Sequence, residues 1–211
     1  SSWVKAVITA RQQTQGKGRR DRVWYSEPDM SLLASFIINP LHYGTMLDTT
    51  LLITVVNELL QKMGVPCGIK WPNDICVLDN GNLLKLAGVL TEIAQDYLVV
   101  GIGVNIKKQK NIDIDNISSL SDFNLEINQS DLIDDILTSL TNLKSKNFES
   151  TEILEKYRKM SISISERVRV ESITETLEGL ALGIAPSGAL ILELDDKRIV
   201  EIGEGDVIHL R

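Results

Sequence analysis

The sequence predicts an α+β fold: a mixed, mostly antiparallel sheet with a few helices, followed by a small all-β module. Three observations predict it. Apolar residues recur at helical spacing in only three segments; short apolar runs bounded by turn residues surround them; and after Ile162 the pattern changes to alternation. At 211 residues and 43% apolar content, the chain can bury one substantial core with a small appended unit.

In chain order, Val4 to Ala10 reads as a buried strand, and the Gln/Gly/Arg-rich stretch behind it as a loop. Leu32 to Ile38 is a second strand, stopped by Asn39-Pro40. Thr45 to Met63 carries Leu47, Leu51, Leu52, Val55, Val56, Leu59 and Leu60 on one helical face, with Thr45 or Asp48 to cap it and Gly64 to end it. Gly68–Trp71 and Ile75–Leu78 flank a Pro72 turn. Asp79-Asn80-Gly81-Asn82 connects a hairpin, and Leu86–Ile93 pairs with Tyr97–Ile102. Residues 107 to 128 are polar and irregular, opening with Lys107, Lys108 and Lys110. Helices are expected over Ser130–Lys146 and Thr151–Met160. Beyond Ile162, short alternating runs punctuated by Pro186-Ser187-Gly188 and Asp195-Asp196 predict a small barrel. The domain reading is therefore 1–161 and 162–211.

Net charge is -7, which argues against general nucleic-acid binding, since phosphate neutralisation needs a basic face. No apolar run is long enough to span a bilayer; Leu51–Leu60 is interrupted by Thr54, Asn57 and Glu58. Cys67 and Cys76 have unlike contexts and read as reduced, buried thiols, so a cytoplasmic protein is expected. The chain starts at Ser1 and enters a strand at once, which reads as the middle of a domain with an N-terminal piece missing.

Against this acidic background one loop is basic: Gly16-Lys17-Gly18-Arg19-Arg20-Asp21-Arg22, followed by Val23 and Trp24. Glycines let backbone approach a ligand, and guanidinium groups supply fixed donors for phosphate oxygens. Lys70-Trp71-Pro72-Asn73-Asp74 sets a cation, an amide and a carboxylate on one turn. Asn73 and Asp74 suit Mg²⁺ or phosphate positioning, or simply an Asx turn, and Trp71 suits core packing. Lys85, opening Lys85-Leu86-Ala87-Gly88-Val89-Leu90-Thr91-Glu92, reads either as a snorkelling surface lysine or as a cation for developing negative charge. Gly101-Ile102-Gly103-Val104-Asn105-Ile106 alone is a closely packed strand.

In this order and at these spacings, the four segments, with Gln13-Thr14-Gln15 leading the first, resemble the catalytic domain of the biotin protein ligases. The C-terminal module resembles that family's SH3-like domain. The resemblance covers nearly the whole chain and implies a class II aminoacyl-tRNA-synthetase-like catalytic fold. It implies two substrates, biotin and ATP, with Mg²⁺, and a biotin carboxyl carrier protein as partner. The basic loop would order over biotinyl-5′-AMP and exclude water. It further implies catalytic roles for Lys85, Arg19 and Arg22. Biotin would be bound by Gln13, Gly16, Lys17, Gly18, Arg19, Lys85, Gly88, Gly101 and Gly103, with Gly88 lying flat under the bicyclic ring. ATP would be bound by Arg19, Arg20, Arg22, Trp24, Lys70, Asn73, Asp74, Lys85 and Asn105. Asn73 and Asp74 would meet Mg²⁺ through phosphate.

The chain departs from the family pattern at several positions. Lys17 stands for an arginine and Asp21 for a glycine, Leu33 stands where some members have tyrosine, and the upstream Ser-Thr-Asn segment is absent. The alternatives are a lipoate or octanoate ligase or transferase of the same fold, which as a transferase would want a nucleophilic cysteine, and a non-catalytic biotin- or carrier-binding module. Nothing in the sequence suggests a DNA-binding arm, and exposed sheet edges leave homodimerisation open.

Overall fold

The computed structural model describes residues 3–39, 45–109, 116–145 and 150–210. Ser1, Pro40, Lys110 and Lys146 lie outside them. The first sheet has six antiparallel strands in the order β1-β2-β6-β5-β4-β3. They are β1 (Val4–Thr9), β2 (Ser31–Ile38), β3 (Cys67–Lys70), β4 (Asp74–Asp79), β5 (Asn82–Ala94) and β6 (Tyr97–Asn105).

Alternation along β2 explains the layer structure. Leu32, Ala34, Phe36 and Ile38 are buried on one face, while Ser35 and Ile37 are only half-buried on the other. Onto the core side packs α1 (Thr45–Lys62), whose Leu51, Leu52, Ile53, Val56 and Leu60 are almost wholly buried and which contacts β3, β4 and β5. Burial of a side chain such as Phe36 contributes about 1.5–3 kcal/mol. Two further helices, α2 (Gln129–Ser145) and α3 (Ser150–Met160), pack against α1. The other sheet face is left partly open, and that is where the cavity lies.

The strands are longer than the sequence pattern suggests. Asn80 and Gly81 both take positive φ, 46° and 80°, making a two-residue turn that lets pairing begin at Asp79↔Asn82 rather than at Leu86. β6 runs on to Asn105 because Ser31–Leu33 offers partners for residues 103–105. Within the stretch expected to be irregular, a short 3₁₀ turn, Leu120–Phe123, buries Leu120; Ser119 N–H donates to Asp122 Oδ2 at 2.8 Å and Asp122 N–H to the Ser119 carbonyl at 3.1 Å.

The second sheet is antiparallel, in the order β10-β9-β8-β7-β11. Its strands are β7 (Arg167–Glu171), β8 (Thr176–Ile184), β9 (Leu190–Leu194), β10 (Ile199–Ile202) and β11 (Asp206–His209). Val168, Val170, Ala181, Leu190 and Leu192 form its buried side. The backbone joins the sheets where Ile162 N–H donates to the Ile69 carbonyl at 2.9 Å. No helix among the described residues is long and apolar enough to cross a membrane.

Candidate active site

The basic loop folds as a small hairpin. Trp24 N–H donates to the Gly16 carbonyl at 2.9 Å, Gly18 N–H to Arg22 at 2.7 Å, and Arg22 N–H back to Arg19 at 3.1 Å. Arg20 and Asp21 occupy the two central turn positions with φ of 53° and 59°. Both lie in the left-handed region, where a non-glycine residue costs about 1–2 kcal/mol and aspartate is among the better tolerated. Asp21 therefore keeps the turn that glycine would make more cheaply. Gly16 meets a steric demand instead: a Cβ there would lie 2.3 Å from the Trp24 carbonyl oxygen.

The Pro72 turn is fixed from the C-terminal side. Trp71 is buried, its backbone N–H donates to Ser163 Oγ at 3.1 Å, and its indole N–H donates to the Gly188 carbonyl at 3.1 Å. It is core, as the sequence suggests. Asn73 exchanges bonds with Val89: its Nδ2 donates to the Val89 carbonyl at 2.8 Å and its carbonyl accepts from Val89 N–H at 3.0 Å. That clamp aligns Asp74 with Gly88 across the β4–β5 ladder.

A β-bulge then delivers Lys85. The ladder pairs Ile75 with Ala87 but Cys76 with Lys85, leaving Leu86 extra on β5. Leu86 goes into the core, fully buried, and Lys85 comes to the open face beside Gly88. Its Nζ sits 2.6 Å from Asp74 Oδ1 and 5.3 Å from the Trp24 ring centroid. Its backbone is held on both sides, by the Asn116 carbonyl and Ser118 N–H, while Asn105 Nδ2 donates to the Lys85 carbonyl at 3.2 Å.

Gly88 and Gly103 are cross-strand partners and form a flat platform. The Trp24 indole lies on it, so that a Cβ on Gly103 would come within 2.7 Å of the ring and one on Gly88 within 3.4 Å. The buried Trp24 Nε1 has no hydrogen-bond partner.

Together these elements enclose a cavity of about 310 Å³. Of the residues singled out in the sequence, Gln13, Lys17, Gly18, Arg19, Arg22 and Trp24 line it from the hairpin side. Asn73, Asp74, Lys85, Gly88, Gly101 and Gly103 line it from the sheet. Leu33, where some family members carry tyrosine, lines it too.

Four residues fall elsewhere. Gly16 is buried beneath Trp24, and Arg20 turns to the second sheet. Lys70 ends β3 beside His209, whose pKa it helps lower. Asn105 is buried, accepting from Ser31 Oγ at 3.3 Å and donating to the Ser118 and Lys85 carbonyls, so its amide supports Lys85 from behind. The structure also adds lining residues that lie outside the motifs, chiefly Ser35, Val99 and Asp206.

Four cations, Lys17, Arg19, Arg22 and Lys85, share the cavity lining with three carboxylates, Asp74, Glu92 and Asp206. Burial pushes the Arg19 guanidinium below its ordinary pKa, opposed by the pull of Asp206 and Asp74. Among the described residues no group of three or more His, Cys, Asp or Glu side chains is set to hold a metal ion. Asp74 is already engaged by Lys85 and the Asn73 amide by Val89, so these two do not form a protein-only metal cage.

The chain belongs to the biotin/lipoate A/B protein ligase family, and within it to the biotin protein ligases: residues 3–109 match the model of that family and residues 164–210 match the biotin protein ligase C-terminal domain. It is 31% identical to the biotin–[acetyl-CoA-carboxylase] ligase of Mycobacterium tuberculosis, over 97% of this chain and 79% of that one. It is 30% identical to the bifunctional ligase/repressor BirA of Bacillus subtilis over 90% of this chain, and spans 62% of that protein. Among solved structures, the biotin protein ligase from Aquifex aeolicus in complex with biotin and ATP superposes with a TM-score of 0.82 at 26% identity, covering 97% of this chain and 88% of that chain.

Proposed function

We propose that this chain joins biotin to ATP to form biotinyl-5′-AMP and passes the biotinyl group to one lysine of a biotin carboxyl carrier protein. The observation that carries the reading is the meeting of Lys85, Arg19 and Arg22 around a glycine platform. Two anions, a carboxylate and a triphosphate, repel each other, and three cations on two elements, the hairpin and β5, bring them together.

In the first step a biotin carboxylate oxygen attacks the α-phosphorus, the bond to the bridging oxygen breaks, and pyrophosphate leaves. Lys85, held by Asp74, offsets the charge that builds on the α-phosphate oxygens. Arg19 and Arg22 face the same space from the hairpin. In the second step the carrier's ε-amine attacks the anhydride carbonyl, AMP departs, and the amine proton is released. Mg²⁺ belongs to this reading as an ion carried on the ATP phosphates. We further propose that residues 1–161 and 162–211 are the catalytic and accessory units, which the extents of the two family matches support.

A cysteine transferase is disfavoured by the environment of both thiols. Cys67 and Cys76 are buried, each pushed up to about 12 by burial, and neither lines the cavity. The test is ATP–pyrophosphate exchange with biotin, with lipoate as the comparison acid. Biotin-dependent exchange that drops by about a hundredfold or more in Lys85→Ala is expected. Exchange driven by lipoate alone would transfer the chain to the lipoate branch, and exchange with neither acid would end the enzyme reading.

A further inference from the structure

The arginine hairpin and the last strand come from opposite ends of the chain, yet they are tied. Arg22 donates to Asp206 Oδ2 at 2.8 Å, and Arg20 donates to the same oxygen at 3.1 Å. Arg20 also donates to the Glu171 carbonyl, and Arg19 Nη1 lies 3.4 Å from the Gly205 carbonyl. Arg20 and Arg22 thus reach the second sheet, and Arg19 reaches the loop that leads into β11. The Asp206 side chain is 17% exposed and is fixed by its strand, where Val207 pairs with Val170.

The three guanidinium groups divide their work. Arg19 and Arg22 line the cavity; Arg20 does not, and its donors go to β7 and β11. A ligand phosphate can therefore engage Arg19 and Arg22 while Arg20 keeps its hold on Asp206. A mixed anhydride that must wait for a second substrate needs a closed site between the two steps.

We propose that Asp206 is a positioning residue that clasps the arginine hairpin across the cavity mouth and so retains the acyl-adenylate until the acceptor amine arrives. This rests on the reading of the cavity as the adenylate site. The closing contact comes from the C-terminal sheet, which gives that module a part in the reaction without contributing a group to the chemistry.

The hairpin is itself a row of tryptic sites, so its opening can be read without any ligand. Cleavage after Lys17, Arg19, Arg20 and Arg22 is followed by mass spectrometry in the full chain, alongside loss of preformed biotinyl-5′-AMP by filtration. Asp206→Asn is expected to quicken both by about tenfold, because cleavage tracks the population of the open form. Asp206→Glu, which keeps the carboxylate, is expected to recover most of the protection; a purely structural role for this strand position would not follow the charge. Should Asp206→Asn not fold, Arg20→Gln opens the same clasp from the hairpin side, with an expected rise of about threefold at Lys17, Arg19 and Arg22, the site after residue 20 being removed by the substitution.

Cleavage rates unchanged in Asp206→Asn, or in Arg20→Gln where it is the variant that decides, overturn the clasp. Faster cleavage with unaltered adenylate retention overturns its role in the reaction. A native chain that forms no biotinyl-5′-AMP refutes the proposed function, whereas the ligand-free cleavage comparison still decides the clasp.

Discussion

The two loops that frame the cavity are both held by residues of the C-terminal segment beyond Ile162, but by different physics. The Pro72 turn is held by buried, neutral hydrogen bonds from Trp71 to Ser163 and Gly188. The arginine hairpin is held by ion pairs to Asp206, with the Arg22 side chain 63% exposed. Buried bonds are costly to leave unmade, whereas exposed ion pairs exchange readily with water and salt. One wall is thus built to stay and the other to release, which suits a site that must admit two substrates and then close.

The largest effect expected from breaking this contrast is at the seat of the hairpin. Gly103→Ala would place a methyl 2.7 Å from the Trp24 ring and push the hairpin root off the platform. Biotin-dependent kcat/KM should fall by about a hundredfold, the scale of a displacement of about 1 Å in a reacting geometry. Gly183→Ala is the control, since that strand glycine lies outside the cavity and a Cβ there would meet nothing within 4 Å. Equal losses in the two variants would show that the platform does not act through Trp24.

A smaller difference should appear in stability. Trp71→Phe leaves the Gly188 carbonyl without its indole donor and is expected to cost about 1–3 kcal/mol in urea unfolding. Arg22→Gln, at the releasable wall, should cost less than about 1 kcal/mol. Equal costs would erase the distinction between the two walls.

The smallest effect concerns pH. His209 Nε2 lies 3.4 Å from Ser163 Oγ, the acceptor for Trp71 N–H. Burial, then Lys70, holds the imidazole below its ordinary value of 6.5, against the pull of Glu166. The unfolded chain therefore takes up this proton first as pH falls. The contribution is complete above about 6.5 and is lost as pH drops through the lowered folded value. Urea midpoints at pH 7.5 and 5.5 should diverge less in His209→Gln than in the native chain. An unaltered difference would exclude His209 as a source of the slope.

Much of this was legible in the sequence, and the residues that were not share a cause. Helix α1 was plain from the spacing of Leu51, Leu52, Val56 and Leu60, and the motif glycines and cations marked most of the cavity lining. Asp206 carries no local signal, because its partner Arg22 is 184 positions away. Arg20 was grouped with its neighbours, but the left-handed turn at Arg20 and Asp21 directs successive side chains differently. Asn105 lies two residues beyond Gly103, the last β6 residue that lines the cavity, and its amide is taken up by the Lys85 and Ser118 carbonyls. The Trp24 indole lies over Gly88 and Gly103, a contact between hairpin and sheet that no local pattern announces. Chain-local pattern shows which residues carry chemistry; the direction each takes depends on register and on distant partners.

The extra residue at Leu86 makes the position of Lys85 a matter of odd and even counting. Ala87 and Val89 are buried with the helix-backed core, and by simple alternation Lys85 would join them while Leu86 faced the cavity. The offset exchanges the two, so one surplus residue separates a buried charge from a usable cation. Substitutions along this strand leave that parity intact, but a single insertion or deletion between Lys85 and Gly88 reverses it. Length, more than composition, is the quantity that this segment must preserve.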